Sequence, residues 1–371
     1  PPRRMAHPSA AGLTQRALNR VLLARLEVED IVTVQALHGR AEAFCAAARP
    51  NQAIAMFEES LLLAQRIGNR RYEGENLQMI GWCLLGMAGV ADYGRARKLL
   101  EESLAISDDS QLAWNSDITL SFYGWVLACQ GDYRQGIVLI QEAIARLHKD
   151  GLMRFLSMAY DFLGYIYQDL NLTQAALEAH TFGLNTALQG QVGFWMPRLS
   201  ANVAVTRLRL GDLSAVGELE VAFAVATEDY QRFHAVRALE GLLEAGIVSG
   251  EPERTLHYAE VLEGMCQMGD LRELGVQVNR WRSAAYRPLG DLERATASLE
   301  RAKTAAATIE RPRLQWDLHS EALALALVQG DSAQATLHQN AMNAIAQQIA
   351  DNLQDSALSN ALFTAAMPAL G

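Results

Sequence analysis

The feature that most constrains this chain is a turn that returns every forty residues. Gly131-Asp132-Tyr133, Gly211-Asp212-Leu213, Gly290-Asp291-Leu292 and Gly330-Asp331-Ser332 share one chemistry. Ala91-Asp92-Tyr93, Asn171-Leu172-Thr173 and Gly250-Glu251-Pro252 stand at matching offsets. Their first residues fall at 91, 131, 171, 211, 250, 290 and 330, so the steps are 40, 40, 40, 39, 40 and 40. A period of that length is the signature of a stacked repeat. Gly accepts the left-handed conformation that ends a helix, and Asp or Thr caps the start of the next. Gln135 and Gln334, three residues beyond Asp132 and Asp331, can complete a capping box. A second set of breaks falls about halfway between, near Gly68, Asp109, Gly151, Gly190, Asp229, Gly269, Pro312 and Asp351. One period is therefore one helical hairpin.

Composition agrees. Ala, Leu, Gln, Glu and Arg dominate, and only 9 prolines and 27 glycines interrupt them; these are strong helix formers. A globular chain of 371 residues would ordinarily divide into two or three domains. The period predicts instead eight hairpins over 31–350. It also predicts a tail and lone helix within 1–30, in the place of the second half of a preceding repeat, and a capping helix and tail over 351–371. The chain does not begin with Met, and these half-repeats give it the look of a module cut from a longer polypeptide. Between Ala48 and Ala91 the spacing is 43, with the surplus around Leu85–Val90.

Small residues recur three positions past most of the triplets, at Ala96, Gly136, Ala176, Thr255, Ala295 and Ala335. They recur on the incoming helices at Gly81, Gly124, Gly164 and Ala204. Facing one another, they let the two helices of a hairpin approach closely. The fragment Tyr123-Gly124-Trp125-Val126-Leu127-Ala128-Cys129-Gln130-Gly131-Asp132-Tyr133-Arg134-Gln135-Gly136 resembles the tetratricopeptide repeat (TPR), as does Leu163-Gly164-Tyr165 through Ala176. The resemblance spans Ile31 to Ala350. The period exceeds the roughly 34 residues of that family, and a repeat-closing proline stands only at Pro312. Repeats of this length are similar to those in the sensor arms of bacterial signal-transduction (STAND-type) ATPases and transcription regulators, and to those of peptide-binding scaffolds. The resemblance implies an all-α, right-handed α-solenoid of helical hairpins, expected to follow an elongated or open-ring course.

The charge is −10 and the pI near 5.4, which argues against a phosphate-binding surface for nucleic acid. No apolar run reaches the roughly 18–20 residues of a membrane span, and Pro1–Ala10 holds no apolar core of a signal peptide. Cys45, Cys83, Cys129 and Cys266 form no CxxC, so the chain reads as reduced and cytoplasmic. No phosphate loop, dinucleotide fingerprint, H-E-x-x-H or G-x-S-x-G occurs. The eight histidines lie too far apart for a metal site. No cofactor, metal or catalytic residue is expected. Arg237 three residues before Glu240 reads as an intrahelical ion pair, and Asn171-Leu172-Thr173 as a turn.

In a hairpin solenoid the first helices line the concave face, and residues at equal offsets stack along it. Trp82, Trp125 and Tyr165 occupy one such row, continuing as Val205. A turn above stand Gln78, Ser121, Asp161 and Ala201, and a turn below Leu85, Ala128, Gln168 and Leu208. Further along, the surface becomes charged with Arg198, Arg209, Arg237, Glu240, Glu244, Arg280 and Arg287. Rigid rings beside fixed charges make a recognition surface, although Trp82, Trp125 and Tyr165 could equally pack between repeats. A second row, Trp114, Phe155 and Trp195, reads as inter-repeat packing.

The expected function is binding without catalysis. A protein, a peptide or a small-molecule inducer would be held in the concave groove by Trp82, Trp125, Tyr165, Asp161, Gln168, Arg198, Arg237, Glu240 and Glu244. Occupancy would be relayed to an effector domain of the same polypeptide. A stand-alone adaptor is the alternative. An α-helical enzyme using Asp161, Glu240 and Glu244 is the third.

Overall fold

The computed structural model describes residues 30–86, 89–109, 113–228, 232–355 and 358–359. The lone helix expected within 1–30 and most of the capping segment lie outside them. Sixteen helices are described. The first, α1, covers 30–46. It is followed by α2 (Pro50–Arg66), α3 (Arg70–Cys83), α4 (Tyr93–Asp109), α5 (Ala113–Cys129) and α6 (Tyr133–Lys149). Next come α7 (Met153–Asp169), α8 (Thr173–Gln189), α9 (Met196–Arg209), α10 (Ala215–Glu228) and α11 (Arg232–Val248). The last are α12 (Pro252–Gly269), α13 (Arg272–Tyr286), α14 (Leu292–Ala306), α15 (Pro312–Gln329) and α16 (Ser332–Leu353). No strand is present among the described residues. The fold is an all-α solenoid of hairpins, α1 with α2 through α15 with α16.

The hairpin tips are built as the sequence dictates. A residue with positive φ opens each of them: Ala48, Ala91, Gly131, Asn171, Gly211, Gly250, Gly290 and Gly330. Asp132, Asp291 and Asp331 then accept hydrogen bonds from the backbone N–H groups of Gln135, Arg294 and Gln334, each cap contributing about 1 kcal/mol. Between hairpins Gly68 and Gly151 are left-handed, but at two other breaks Gln191 and Asp270 take that conformation rather than the adjacent Gly190 and Gly269. Those glycines serve close approach instead: a Cβ on Gly190 would meet Met153, and one on Gly269 the carbonyl of Ala48. The surplus before Ala91 is a loop after α3, and its Gly86 lies so close to Glu273 and Tyr93 that no Cβ would fit.

The two helices of a hairpin differ in burial. On α6 the buried residues Tyr133, Gly136, Ile140, Ala143 and Leu147 form one stripe, the pattern of a helix with one solvent face. On α7 the buried positions run nearly all round, from Leu156 to Asp169. First helices therefore lie inside the superhelix. The small residues do what their spacing implies: a Cβ on Gly124 would stand 2.9 Å from the carbonyl oxygen of Gly136.

The course of the array differs from the open one expected. The tips of the first four hairpins meet the opening ends of the seventh and eighth. Asn51 donates to Asp270 at 2.9 Å, Gly131 faces Pro312, and Arg313 donates to the Asp169 carbonyl at 2.6 Å and to Asn171 at 3.0 Å. At the centre of this seam Arg311 donates to both carboxylate oxygens of Asp169, at 3.1 and 3.0 Å, and to Glu273. Tyr93 donates to Glu273 and Tyr133 to Asp169. The second superhelical turn is thus stacked on the first. A sequence period cannot reveal this, because it fixes neighbours and not the pitch.

Two outcomes follow. Gly290 has positive φ and open space around it, so Gly290→Ala should cost about 1 kcal/mol of stability by urea unfolding, through the backbone alone. Arg311→Met should cost about 3–5 kcal/mol, because it strands two carboxylates in a buried site. It should also enlarge the radius of gyration in small-angle scattering; a loss under about 1 kcal/mol would remove Arg311 from its place at the seam.

Candidate functional site

Stacking one turn on the other leaves a cavity of about 340 Å³ in the interior. Six consecutive first helices, α5 through α15, contribute to its wall. Arg198, Arg237, Gln277 and Asp317 form one row at the repeat spacing, and Glu240, Arg280 and Ser320 form the next. Trp125, Tyr165, Trp281 and Trp316 supply the aromatic part of the wall. The seam residues Asp169, Glu273, Arg311 and Arg313 close it.

Most of its charges are held in pairs. Arg209 grips Glu244 with two bonds of 2.7 and 2.8 Å, and Arg313 pairs with Asp317 at 3.0 Å. Arg237 lies 3.4 Å from Glu240, the intrahelical pair expected. Although burial pushes the Glu244 carboxyl up, Arg209, Arg237 and Arg280 more than offset it and hold it below the usual range. Asp317 behaves likewise, with Arg313 and Arg280 the main opposing charges. Arg280 itself stacks on Trp281, 4.0 Å from the ring centroid, and donates to Gln277 at 2.7 Å. Among the described residues it has no carboxylate within ion-pair distance.

The expected site residues divide. Trp125, Tyr165, Gln168, Arg198, Arg237, Glu240 and Glu244 are all on this wall. Asp161 is not. It is fully buried behind it, where it accepts from Asn202 at 2.6 Å, His180 at 3.0 Å and Arg198 at 3.4 Å. Gln168 donates to His180 at 3.2 Å and to Thr206 at 2.9 Å, which leaves His180 protonated on Nδ1 toward Asp161. Asn202 in turn accepts from Arg237. This chain of bonds ties α7, α8, α9 and α11 together and fixes the guanidinium groups of Arg198 and Arg237. Asp161 therefore positions the wall rather than forming it.

Trp82 belongs to a second cavity, of about 310 Å³. Its ring lies 5.1 Å from Phe122 and 5.3 Å from Phe233. Phe155, Phe194 and Trp195 complete the aromatic wall, and Glu42, Glu75 and Arg154 stand among its polar residues. Phe155 and Trp195, assigned to packing from their spacing, therefore also line a cavity; the side chain of Trp114 lies outside the described residues. Trp125 and Tyr165 show the same double duty. Trp125 stacks on Phe162 with centroids 6.1 Å apart and packs 5.4 Å from Tyr165, one repeat on, while bordering the first cavity. Arg287, expected on this surface, instead pairs with Glu321 at 3.0 Å.

Glu273, Gln277, Trp281, Arg311, Arg313, Trp316, Asp317 and Ser320 also line the cavity and were not expected from the sequence. The signal for three of them was present: extending the row of Asp161 and Ala201 by the period reaches Glu240, Arg280 and Ser320, and the row through Arg237 reaches Gln277 and Asp317. Nothing in the period marked the meeting of Arg311 with Asp169, which depends on superhelical pitch.

The fold and its repeat chemistry define a TPR-like repeat array, the architecture of a protein-interaction module. The tetratricopeptide repeat model matches residues 32–109, the first two hairpins. Among solved structures, the chain is similar to a Rap protein complexed with competence and sporulation factor. Identity is 15%, the TM-score 0.58, and the match covers 87% of this chain and 99% of that one. A tetratricopeptide repeat protein from Parabacteroides merdae matches at 15% identity and TM-score 0.41, over 77% of this chain and 98% of that one. No curated protein matches. No helix among the described residues is long and apolar enough to cross a membrane, and no group of three metal-ligating side chains occurs among them.

Beside the second cavity, His234 packs edge-on against Phe194, Trp195 and Phe233. Burial, with Arg198 nearby, lowers its pKa from the ordinary 6.5 to about 3. A depressed pKa means stability that is complete above pH 6.5 and is lost as pH falls toward 3. At pH 5 the loss from this one group is about 2 kcal/mol. His234→Phe should therefore lose about 2 kcal/mol less than the parent between pH 7 and 5 in urea titrations; an unchanged slope would contradict the assignment.

Proposed function

We propose that this chain is a non-catalytic binding module that recognises a ligand inside its superhelix, and that it serves as the sensing part of a larger regulatory polypeptide. The observation that carries the reading is convergence. Arg198, Arg237, Gln277 and Asp317, from four successive hairpins, meet on one cavity of about 340 Å³, within the range of small-ligand sites. The guanidinium groups of Arg198 and Arg237 are held by bonds to neighbouring repeats, so this part of the site is preorganised. Trp125, Tyr165, Gln168, Glu240 and Glu244 form the rest of the recognition surface. Trp82 serves the adjoining aromatic cavity, and Asp161 acts from behind.

The similar Rap structure is of a protein complexed with competence and sporulation factor, which is consistent with a binding role for this fold. In a sensor, binding shifts the array between curvatures by as much as its affinity differs between them, and an attached effector domain reads the change. A cytoplasmic setting suits the four free cysteines.

Gln277 is half-buried on the cavity wall, and Gln277→Trp fills the space without touching an ion pair. A thermal-shift screen of pentapeptides and small metabolites should yield compounds that stabilise the parent and not this variant, whose own Tm stays within about 2 °C of the parent. Compounds that stabilise both proteins equally, or a screen with no stabilising compound, would defeat the reading.

A further inference from the structure

We propose that the ligand of the interior cavity is a small organic oxyanion, a carboxylate- or phosphate-bearing molecule whose charged end is held among Arg198, Arg237 and Arg280. This rests on the cavity being the ligand site. The starting point is which polar atoms of the wall lack partners. Arg198 Nη1, Arg237 Nη2, Arg311 Nε, Trp125 Nε1 and Asn171 Nδ2 are buried and find no acceptor among the described residues. All five are donors. Every unpartnered buried atom of the wall residues thus asks for an oxygen, and none offers one.

Arg198 is paired with Asp161 behind the wall, and it is at Arg280 that charge sharpens this from any acceptor to an anion. The carboxylates of the wall are already committed: Glu244 to Arg209, Asp317 to Arg313, Glu240 to Arg237, and Asp169 and Glu273 together to Arg311. Arg280 has no such partner among the described residues and lies over Trp281. Arg198 and Arg237 are more than nine-tenths buried. Their guanidinium carbons stand 5.4 and 5.5 Å from the centroid of one ring, Tyr165. Two fixed forks around one ring, each with a spare N–H, match the several lone pairs of a carboxylate or phosphate. Trp281 and Trp316 can cover an apolar body. The volume suits a drug-sized molecule.

The test compares matched pairs at constant ionic strength: succinate with succinamide, 3-phenylpropionate with its amide, and phenyl phosphate with phenol. The charged member of a pair should raise the Tm of the parent by about 2 °C or more and bind in calorimetry, while the neutral member does neither. Whether the carboxylates or the phosphate prevail identifies the head group. Arg280→Gln should weaken that binding at least tenfold while the free protein still folds cooperatively, since no carboxylate within ion-pair distance loses its partner. Equal effects of charged and neutral members, or an unchanged affinity in Arg280→Gln, overturn the proposal. Neutral compounds that bind the parent and are blocked by Gln277→Trp would overturn it while leaving the cavity as the ligand site. Anion binding that survives Gln277→Trp lies elsewhere and would overturn both.

Discussion

The arrangement of this molecule depends on one buried cation. Arg311 stands at the start of α15 and binds Asp169 at the end of α7 and Glu273 at the start of α13. Burial pulls its pKa down, but the two carboxylates outweigh burial and keep it charged. Such a site is costly to assemble, because three charges leave water together, and an apolar substitute of equal shape is often no less stable. What it supplies is registration. A slip between the two superhelical turns would leave a charge buried without a partner, so one pitch is strongly favoured over its neighbours. Tyr93 and Tyr133 satisfy remaining lone pairs of the same carboxylates, which ties α4 and α6 into the same registration.

The period made the local structure legible. Positive φ at Gly131, Gly211, Gly250, Gly290 and Gly330, and the Asp caps after three of them, are short-range chemistry that sequence states directly. Ala48, Ala91 and Asn171 take the same conformation without glycine, and only their place in the period points to it. The interior was half legible. Residues that touch one repeat away, such as Tyr165 and Arg198, follow from row spacing. Residues that touch a superhelical turn away do not. Arg311 and Asp169 are separated by 142 positions, and no local rule predicts that interval. Asp161 illustrates a different limit. Its row is the right one, yet a neutral His180 and Asn202 bond it from neighbouring helices, and side-chain partners across repeats decide whether a carboxylate faces a cavity or a wall.

The two cavities follow from where along the first helices the rings and charges fall. Near the starts of α7 and α9 lie Phe155 and Trp195, and with Trp82, Phe122 and Phe233 they build an apolar chamber. Toward the ends of α7, α9 and α11 lie Gln168, Arg209 and Glu244, facing the charged starts of α13 and α15. Arg198 stands between the two, its guanidinium 4.7 Å from the Phe233 ring and 5.4 Å from Tyr165. A partition of that kind lets one superhelix present chambers of opposite character without a change of fold.

A solenoid normally transmits strain only between neighbouring repeats. Here the seam adds a second path. Asp169, Glu273, Arg311 and Arg313 both line the charged cavity and hold the turns together. Arg311 keeps a buried, unpartnered Nε–H in that position, beside the ion pairs that set the pitch. Arg237 extends the same coupling outward, through Asn202 to Asp161 and His180 on the fourth hairpin. In the proposed reading, ligand contact and superhelical registration would be properties of the same side chains. That identity is the physical basis on which the proposed occupant would change the shape of the whole array.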